Sequence, residues 1–351
     1  MKYNFLIFGI CLSCLFIACE PDFNLNAPYK DVPVVYGVLN YQDTIHYVKI
    51  YKGFLSNEKG TVFIDAQNPD SIYYYNDITA VLEEFDENDK RTLRASIPLY
   101  ITHDFPRDSG IFYYDKERII YHTKESINPK MSYNIKITNK FNGNITQGKT
   151  KIVGDFRIAN MAQSITMLEP TSIVFTYPPN AAKNGYEIYV NFIYFEVDNK
   201  THEVKTFKIV KNISPQMGGE FKYNEAFNEI YKSFTPTFYD DIAVRVKPNP
   251  NVTRYMGSPG TNGVCIEIEG WAAGDAMYNY LLSNKPTSSF VQVNTRYTNL
   301  IDSVGMAFGF FSSRIKTPVR KFTTTTASQD SLVSGSKTAG LGFRPWIEYK
   351  P

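Results

Sequence analysis

The sequence predicts a mostly β protein of two lobes, and three observations carry that prediction. Short runs of β-branched and aromatic residues recur along the chain, several alternating with period two, and Gly, Pro, Asn and Asp clusters separate them. Aromatic residues make up 15% of the 351 residues, almost all as 26 Tyr and 25 Phe against 2 Trp, a composition that suits pleated strand faces. Helical periodicity surfaces in only two short stretches, 223–231 and 273–282.

Charge narrows the function classes. Lys and Arg number 37 and Asp and Glu 35, a net charge of +2, so the chain lacks the basic excess with which nucleic-acid binders displace counterions. A charged fraction of 21% beside 43% apolar residues argues for packed cores rather than disorder.

The first element is not part of the fold. Lys2 precedes an almost unbroken apolar run of 13 residues, Phe5 to Ile17. A membrane-spanning helix needs about 20 such residues, whereas 13 suit the hydrophobic region of a signal peptide. The run ends in Leu15-Phe16-Ile17-Ala18-Cys19, which resembles the lipobox of bacterial lipoproteins. The resemblance implies a signal peptide over 1–18 and a diacylated Cys19 as the new N-terminus. Glu20 and Asp22 resemble the acidic export tags of Bacteroidota surface lipoproteins. Each buried methylene contributes about 0.8 kcal/mol and one acyl chain holds only marginally, so two or three chains on Cys19 would give durable attachment. Residues 19–32 read as a lipidated tether. Once Cys11 and Cys14 leave with the signal, Cys265 stands alone and has no partner for an internal disulfide; in Val264-Cys265-Ile266 it reads as a buried strand thiol.

Strands follow from residue 33. Val34–Leu39 and Thr44–Lys52 form a hairpin through Asn40–Asp43, with Ile45, Tyr47, Lys49 and Tyr51 on one face and His46, Val48 and Ile50 on the other. Further strands are expected at 78–85, from Lys90-Arg91, and at 110–114, 118–121, 133–138 and 145–152, with Asn142-Gly143 turning the last pair. The spacing suggests an all-β sandwich over 33–157.

The second lobe, 158–351, is expected to carry strands at 172–177, 187–197, 203–213, 242–247 and 263–271. Its two short helices rest on stripes: Tyr223, Phe227 and Ile230 in the first, Met277, Tyr280 and Leu281 in the second. The Ser-, Thr- and Gly-rich stretch 323–342 reads as a mobile or extended edge. Gly305 and Gly309 suggest close backbone approach or a bulge, Phe308, Phe310 and Phe311 supply core, and Arg314 is placed to pair with a carboxylate.

Tyr297-Thr298-Asn299-Leu300, Gly305, Gly309-Phe310-Phe311-Ser312-Ser313-Arg314, Tyr278-Asn279-Tyr280-Leu281, Asn224-Glu225-Ala226-Phe227 and Val34-Val35-Tyr36-Gly37 together resemble an uncharacterised family of Bacteroidota surface lipoproteins. Its members are often encoded beside TonB-dependent outer-membrane transporters. The resemblance implies an immunoglobulin-like sandwich at 33–157 and brings no catalytic residues with it.

No motif for chemistry stands out. His46, His103, His122 and His202 show no metal-ligand spacing, and nucleophile-elbow, Walker and Rossmann patterns are absent, so no catalytic residue, metal or cofactor is expected. Tyr73, Tyr74 and Tyr75, with Tyr113 and Tyr114, are the binding candidates. Exposed tyrosines would stack on sugar rings or form a protein-binding patch; their plainer role is to cover sandwich faces. The expected function is that of a non-enzymatic, lipid-anchored accessory or binding protein of the outer membrane or cell surface, partnering a β-barrel transporter or export complex. The alternative is a glycan-binding surface lipoprotein.

Overall fold

The computed structural model describes residues 31–53, 68–86, 92–103, 118–159, 161–168, 171–214, 222–224, 226–227, 229–234, 237–284 and 297–349. The fold is mostly β. In the first lobe, β1 (Val32–Leu39) and β2 (His46–Gly53) pair antiparallel. The Asn40–Asp43 turn between them closes on Asn40, whose side chain holds both Asp43 and the Gln42 amide. The expected alternation holds: His46, Val48 and Ile50 are buried, while Tyr47, Lys49 and Tyr51 lie on the other face. A one-turn helix, α1 (Pro69–Ile72), is capped by Asn68, which accepts from the Asp70 amide.

Next come β3 (Ile78–Asp86), β4 (Leu93–Pro98), β5 (Tyr100–Thr102), β6 (Ile120–Thr123), β7 (Met131–Asn139) and β8 (Ile145–Lys151). The strands β4, β3, β7 and β8 make one sheet; β1, β2, β6 and β5 belong to the other. Val35, Leu39, Val48 and Ile50 of one face meet Leu82, Ile135 and Ile137 of the other in a single apolar core, which is the sandwich. The hairpin at Asn142-Gly143 forms as expected, with Gly143 at φ +71°. The strand expected at 110–114 lies outside the described residues.

The second lobe contains β9 (Ser164–Ile165), β10 (Thr171–Thr176), β11 (Tyr186–Asp198), β12 (Val204–Asn212), β13 (Lys222–Asn224), β14 (Glu229–Phe234), α2 (Phe238–Arg245), β15 (Val252–Met256), β16 (Val264–Ala273) and α3 (Asp275–Ser283). The chain then runs through β17 (Leu300–Asp302), β18 (Phe308–Lys316), β19 (Arg320–Thr324), α4 (Thr326–Ser334) and β20 (Phe343–Arg344). A 12-stranded sheet in the order β20-β15-β11-β16-β18-β1-β2-β6-β5, with β12, β19 and β9 attached, runs through both lobes.

β18 is the joint. Its first half lies parallel to β1, pairing Val34 with Phe308 through Leu39 with Ser313, and its last residues pair antiparallel with β16. β17 meanwhile extends the other sheet of the first lobe through β8. β17 and the first part of β18 therefore complete both sheets of the sandwich begun at residue 33, and Leu300, Ala307 and Phe311 sit in its core.

Three local expectations are overturned. The stretch 223–231 is not a helix but the hairpin of β13 and β14, in which Tyr223 pairs with Ile230. Ile230 is buried and Phe227 stands out at the turn, so the stripe is not one face; pairing of β14 with β10 supplies the backbone partners. The strand expected at 242–247 falls largely in α2, where Phe238 and Ile242 bury one face and Asp240, Asp241 and Arg245 complement the helix dipole. The stretch 323–342 holds α4, whose N-cap Thr325 accepts from the Ser328 amide; serine and threonine there cap and pack rather than loosen. The helix expected at 273–282 is present as α3.

Candidate functional site: a tyrosine and arginine groove on the joint

The outer face of β1, β2 and β18 forms an open groove of about 650 Å³. Period two puts Tyr36 and Val38 of β1 and Tyr47, Lys49 and Tyr51 of β2 on this face, opposite the core residues Val35, Leu39, Val48 and Ile50. Arg118, ahead of β6, and Arg314 of β18 complete its cationic lining, and Asp43 supplies a carboxylate that already accepts from Asn40 at 2.9 Å. Among the described lining residues Lys49, Arg118 and Arg314 outnumber Asp43 over an aromatic floor. The Nε of Arg118 is buried and has no hydrogen-bond partner among the described residues.

One end is a wall of rings. The Tyr36 ring meets Phe310 edge-on at 5.9 Å and Tyr280 of α3 at 5.8 Å, and Tyr280 leans on Phe310 at 4.5 Å. The Tyr280 hydroxyl donates to that of Tyr36 at 3.3 Å. Burial, and then this hydroxyl pair, push the Tyr36 phenol above its ordinary value, so it stays protonated and keeps a hydrogen-bonding tip. α3 is fixed to the sheet by the Ser312 hydroxyl, which accepts from the Met277 amide at 3.1 Å.

Among the described residues no carboxylate pairs with Arg314. Its guanidinium lies 4.7 Å from the centre of the Trp271 ring, which Lys316 shares from 5.2 Å, because the β16–β18 register sets Trp271 beside Lys316 and Ala273 beside Arg314. Lys316 takes Glu269 at 2.9 Å. At the other end Tyr47 packs at 6.2 Å from His122. His46 also borders the groove, and burial lowers its imidazole pKa while Asp43 pulls the other way.

The tyrosines singled out in the sequence are elsewhere. Tyr73 and Tyr74 are 1% and 2% exposed and belong to the first core, which corrects the expectation of an exposed platform. Tyr75 is half-buried in the left-handed region at φ +48°, with its ring 6.0 Å from Tyr73 and its carbonyl accepting from Tyr121 at 2.9 Å. The backbone turn between α1 and β3 folds all three inward. Tyr113, Tyr114 and the lipidation candidate Cys19 lie outside the described residues. Sequence reasoning placed Tyr47, Lys49 and Tyr51 on one face but did not join them to Tyr36, Arg118 and Arg314, which the pairing of β1 with β18 brings together. Among the described residues no group of three His, Cys, Asp or Glu side chains is placed to hold a metal ion, and no helix is long and apolar enough to cross a membrane.

No protein-family profile matches the chain, and no curated protein matches it either. Among solved structures the chain is similar to trypsin-activated alpha-2-macroglobulin from Escherichia coli, at 8% identity and a TM-score of 0.17, over 71% of this chain and 17% of that one. A score that low carries no argument about function.

Proposed function

We propose that the protein is a lipid-anchored accessory or binding protein of the outer membrane or cell surface, held by acyl chains on Cys19, which grips an extended segment of a protein partner in the groove on its joint. The partner class is an outer-membrane β-barrel transporter or export complex. The observation that carries the binding part is the groove itself: open, floored by Tyr36, Tyr47 and Tyr51, and edged by Lys49, Arg118 and Arg314. Half-buried tyrosine gives a large contact area with a polar tip, and arginine matches carboxylates in pairs, so the lining suits an acidic, extended peptide. The anchoring part rests on the sequence around Cys19.

The test is affinity purification of the tagged lipoprotein from membranes. A large β-barrel should co-purify with the unmodified protein and be lost from a Tyr47→Ala, Arg314→Gln variant that folds normally. Retention of the barrel by that variant would remove the groove from the reading. Cys19→Ser should release the protein from membranes.

A second reading is favoured by the same rings. Tyr faces beside cations also suit acidic sugars, and a monomer retarded on a polysaccharide gel, with no barrel co-purified, would select glycan binding instead.

A further inference from the structure

Four large apolar side chains stand in solvent at one end of the first lobe. Phe141, 81% exposed, tips the β7–β8 hairpin; Ile301 (75%), Val304 (71%) and Met306 (66%) follow along the path from β17 to β18. The two segments are laced together, because Ser303 and Ile145 exchange hydrogen bonds of 2.9 Å through the Ser303 amide and hydroxyl. A β-carbon at Gly143 or Gly305, one in each turn, would meet nothing within 4 Å. Single exposed apolar residues are ordinary, but a group on adjoining turns marks a contact surface.

The chain enters the lobe at this same end. The Asp31 carboxylate accepts from Asn139 at 2.7 Å and from Tyr74 at 2.5 Å, and Asn139 closes the hairpin that carries Phe141. Phe308, two residues after Met306, pairs with Val34, three residues after Asp31. Ahead of Asp31 in the sequence lie Cys19 and the apolar run Phe5–Ile17. The 12 residue-to-residue steps from Cys19 to Asp31 span at most about 40 Å, so an anchored Cys19 keeps this end within that reach of the bilayer. Lys149, exposed, lines the same recess as Ile301; Lys140, next to Phe141 in the chain, is exposed with its ammonium 2.6 Å from the Asn76 carbonyl, and both suit lipid phosphates. Asp302, two residues before Val304, accepts from Thr146 at 2.7 Å and from the Val304 and Gly305 amides.

We infer that this end is the membrane-facing surface of the protein, with Phe141, Ile301, Val304 and Met306 resting in the interfacial layer of a lipid bilayer. The inference rests on the Cys19 anchor proposed above and adds an orientation to it: the lobe lies on the bilayer rather than swinging free on its tether.

The test places a fluorophore at Val304→Cys, at Phe141→Cys and, as a control on α2 of the second lobe, at Val244→Cys, which is 70% exposed. Cys265 is buried and an acylated Cys19 does not label. The full chain is reconstituted into phosphatidylethanolamine–phosphatidylglycerol vesicles carrying a spin-labelled acyl chain. Emission from 304 and 141 should fall about twofold while that from 244 holds, as expected for side chains in the interfacial layer. Equal emission at all three sites, in protein that still sediments with the vesicles, overturns the orientation and leaves the anchor standing. Shielding of 304 and 141 from an aqueous quencher without lipid quenching overturns it too, in favour of a protein neighbour or a second copy. The anchor itself is read separately, by the acyl mass on the N-terminal peptide and by release of Cys19→Ser. Quenching at 304 in that unanchored variant would support the membrane-facing surface on its own.

Discussion

A β-carbon on Gly309 would stand 2.0 Å from the carbonyl oxygen of Val35. Gly309 has φ +92° and pairs with Val35 in the parallel seam between β18 and β1, which joins the two lobes. Only glycine meets both demands, a left-handed backbone and a near contact with another main chain. Gly309→Ala should therefore destabilise the protein by about 2–4 kcal/mol, the sum of a left-handed penalty and an overlap that side-chain motion cannot relieve. Gly305→Ala is the control. Its β-carbon would point into open space and its φ is not positive, so it should stay within about 0.5 kcal/mol of the native protein. Urea midpoints of the two variants check the contrast, and similar midpoints would discard the seam argument.

Arg254 is the buried cation that ties the chain's last segment to the second lobe. Its Nε donates to Glu196 at 2.7 Å, Nη2 to the Lys247 carbonyl at 3.0 Å, and Nη1 to the Leu341 carbonyl. Arg254→Ala leaves Glu196 and two carbonyls without their donor and should cost about 3–5 kcal/mol. Arg254→Lys should recover little, because one ammonium cannot serve three acceptors set in a guanidinium fork. Loss of proteolytic protection at 338–349 before global unfolding is the second readout; a lysine variant as stable as the parent would contradict it.

How far the sequence could be read depended on the distance between partners. Alternation within β2 separated His46 and Val48 from Tyr47 and Lys49 because both faces are written in one run. The groove was not legible, since Tyr36 meets Tyr280 from 244 residues away and no local pattern encodes the pairing of β1 with β18. The stripe Tyr223, Phe227, Ile230 misled because a three-to-four spacing fits a helical face and equally a tight hairpin whose turn residue is exposed; the choice was made by β10. Tyr73 and Tyr74 misled for another reason. Composition shows that tyrosines are plentiful but not which way a turn points them. Asn299 stands in a motif that carries the family resemblance, but its role was not legible: its side chain binds both the Phe311 amide, at 2.9 Å, and its carbonyl, at 2.8 Å, imitating a strand neighbour where β18 meets β8.

Cys265 should be silent to thiol reagents in the folded protein. Burial pushes its thiol up to about 12, and its sulfur sits 3.8 Å from the Thr324 hydroxyl in the second core. The thiolate is the reactive form, so both access and ionisation are denied. Iodoacetamide at mildly alkaline pH should leave Cys265 unmodified in buffer and alkylate it fully in urea, as peptide mass spectrometry would read. Fast native labelling would mean that the β16–β19 region opens locally.

His46 should make the first lobe sensitive to mild acid. It is buried at the start of β2, and neither ring nitrogen has a hydrogen-bond partner among the described residues. Burial therefore holds its pKa below the ordinary value, with Asp43 only partly opposing the shift. The sign follows from proton counting. The unfolded chain takes up a proton at about pH 6.5, whereas the native imidazole stays neutral to lower pH, so the unfolded state binds more protons in that window. Stability is then level above the unfolded pKa, falls as pH drops through it, by at most about 1.4 kcal/mol per pH unit for one proton, and levels again once the native ring is protonated. Urea melts between about pH 8 and pH 5 should show this decline in the native protein and a shallower one in His46→Leu, since the variant has no imidazole to charge. Parallel curves for the two proteins would assign the acid sensitivity to other groups and remove His46 from the argument.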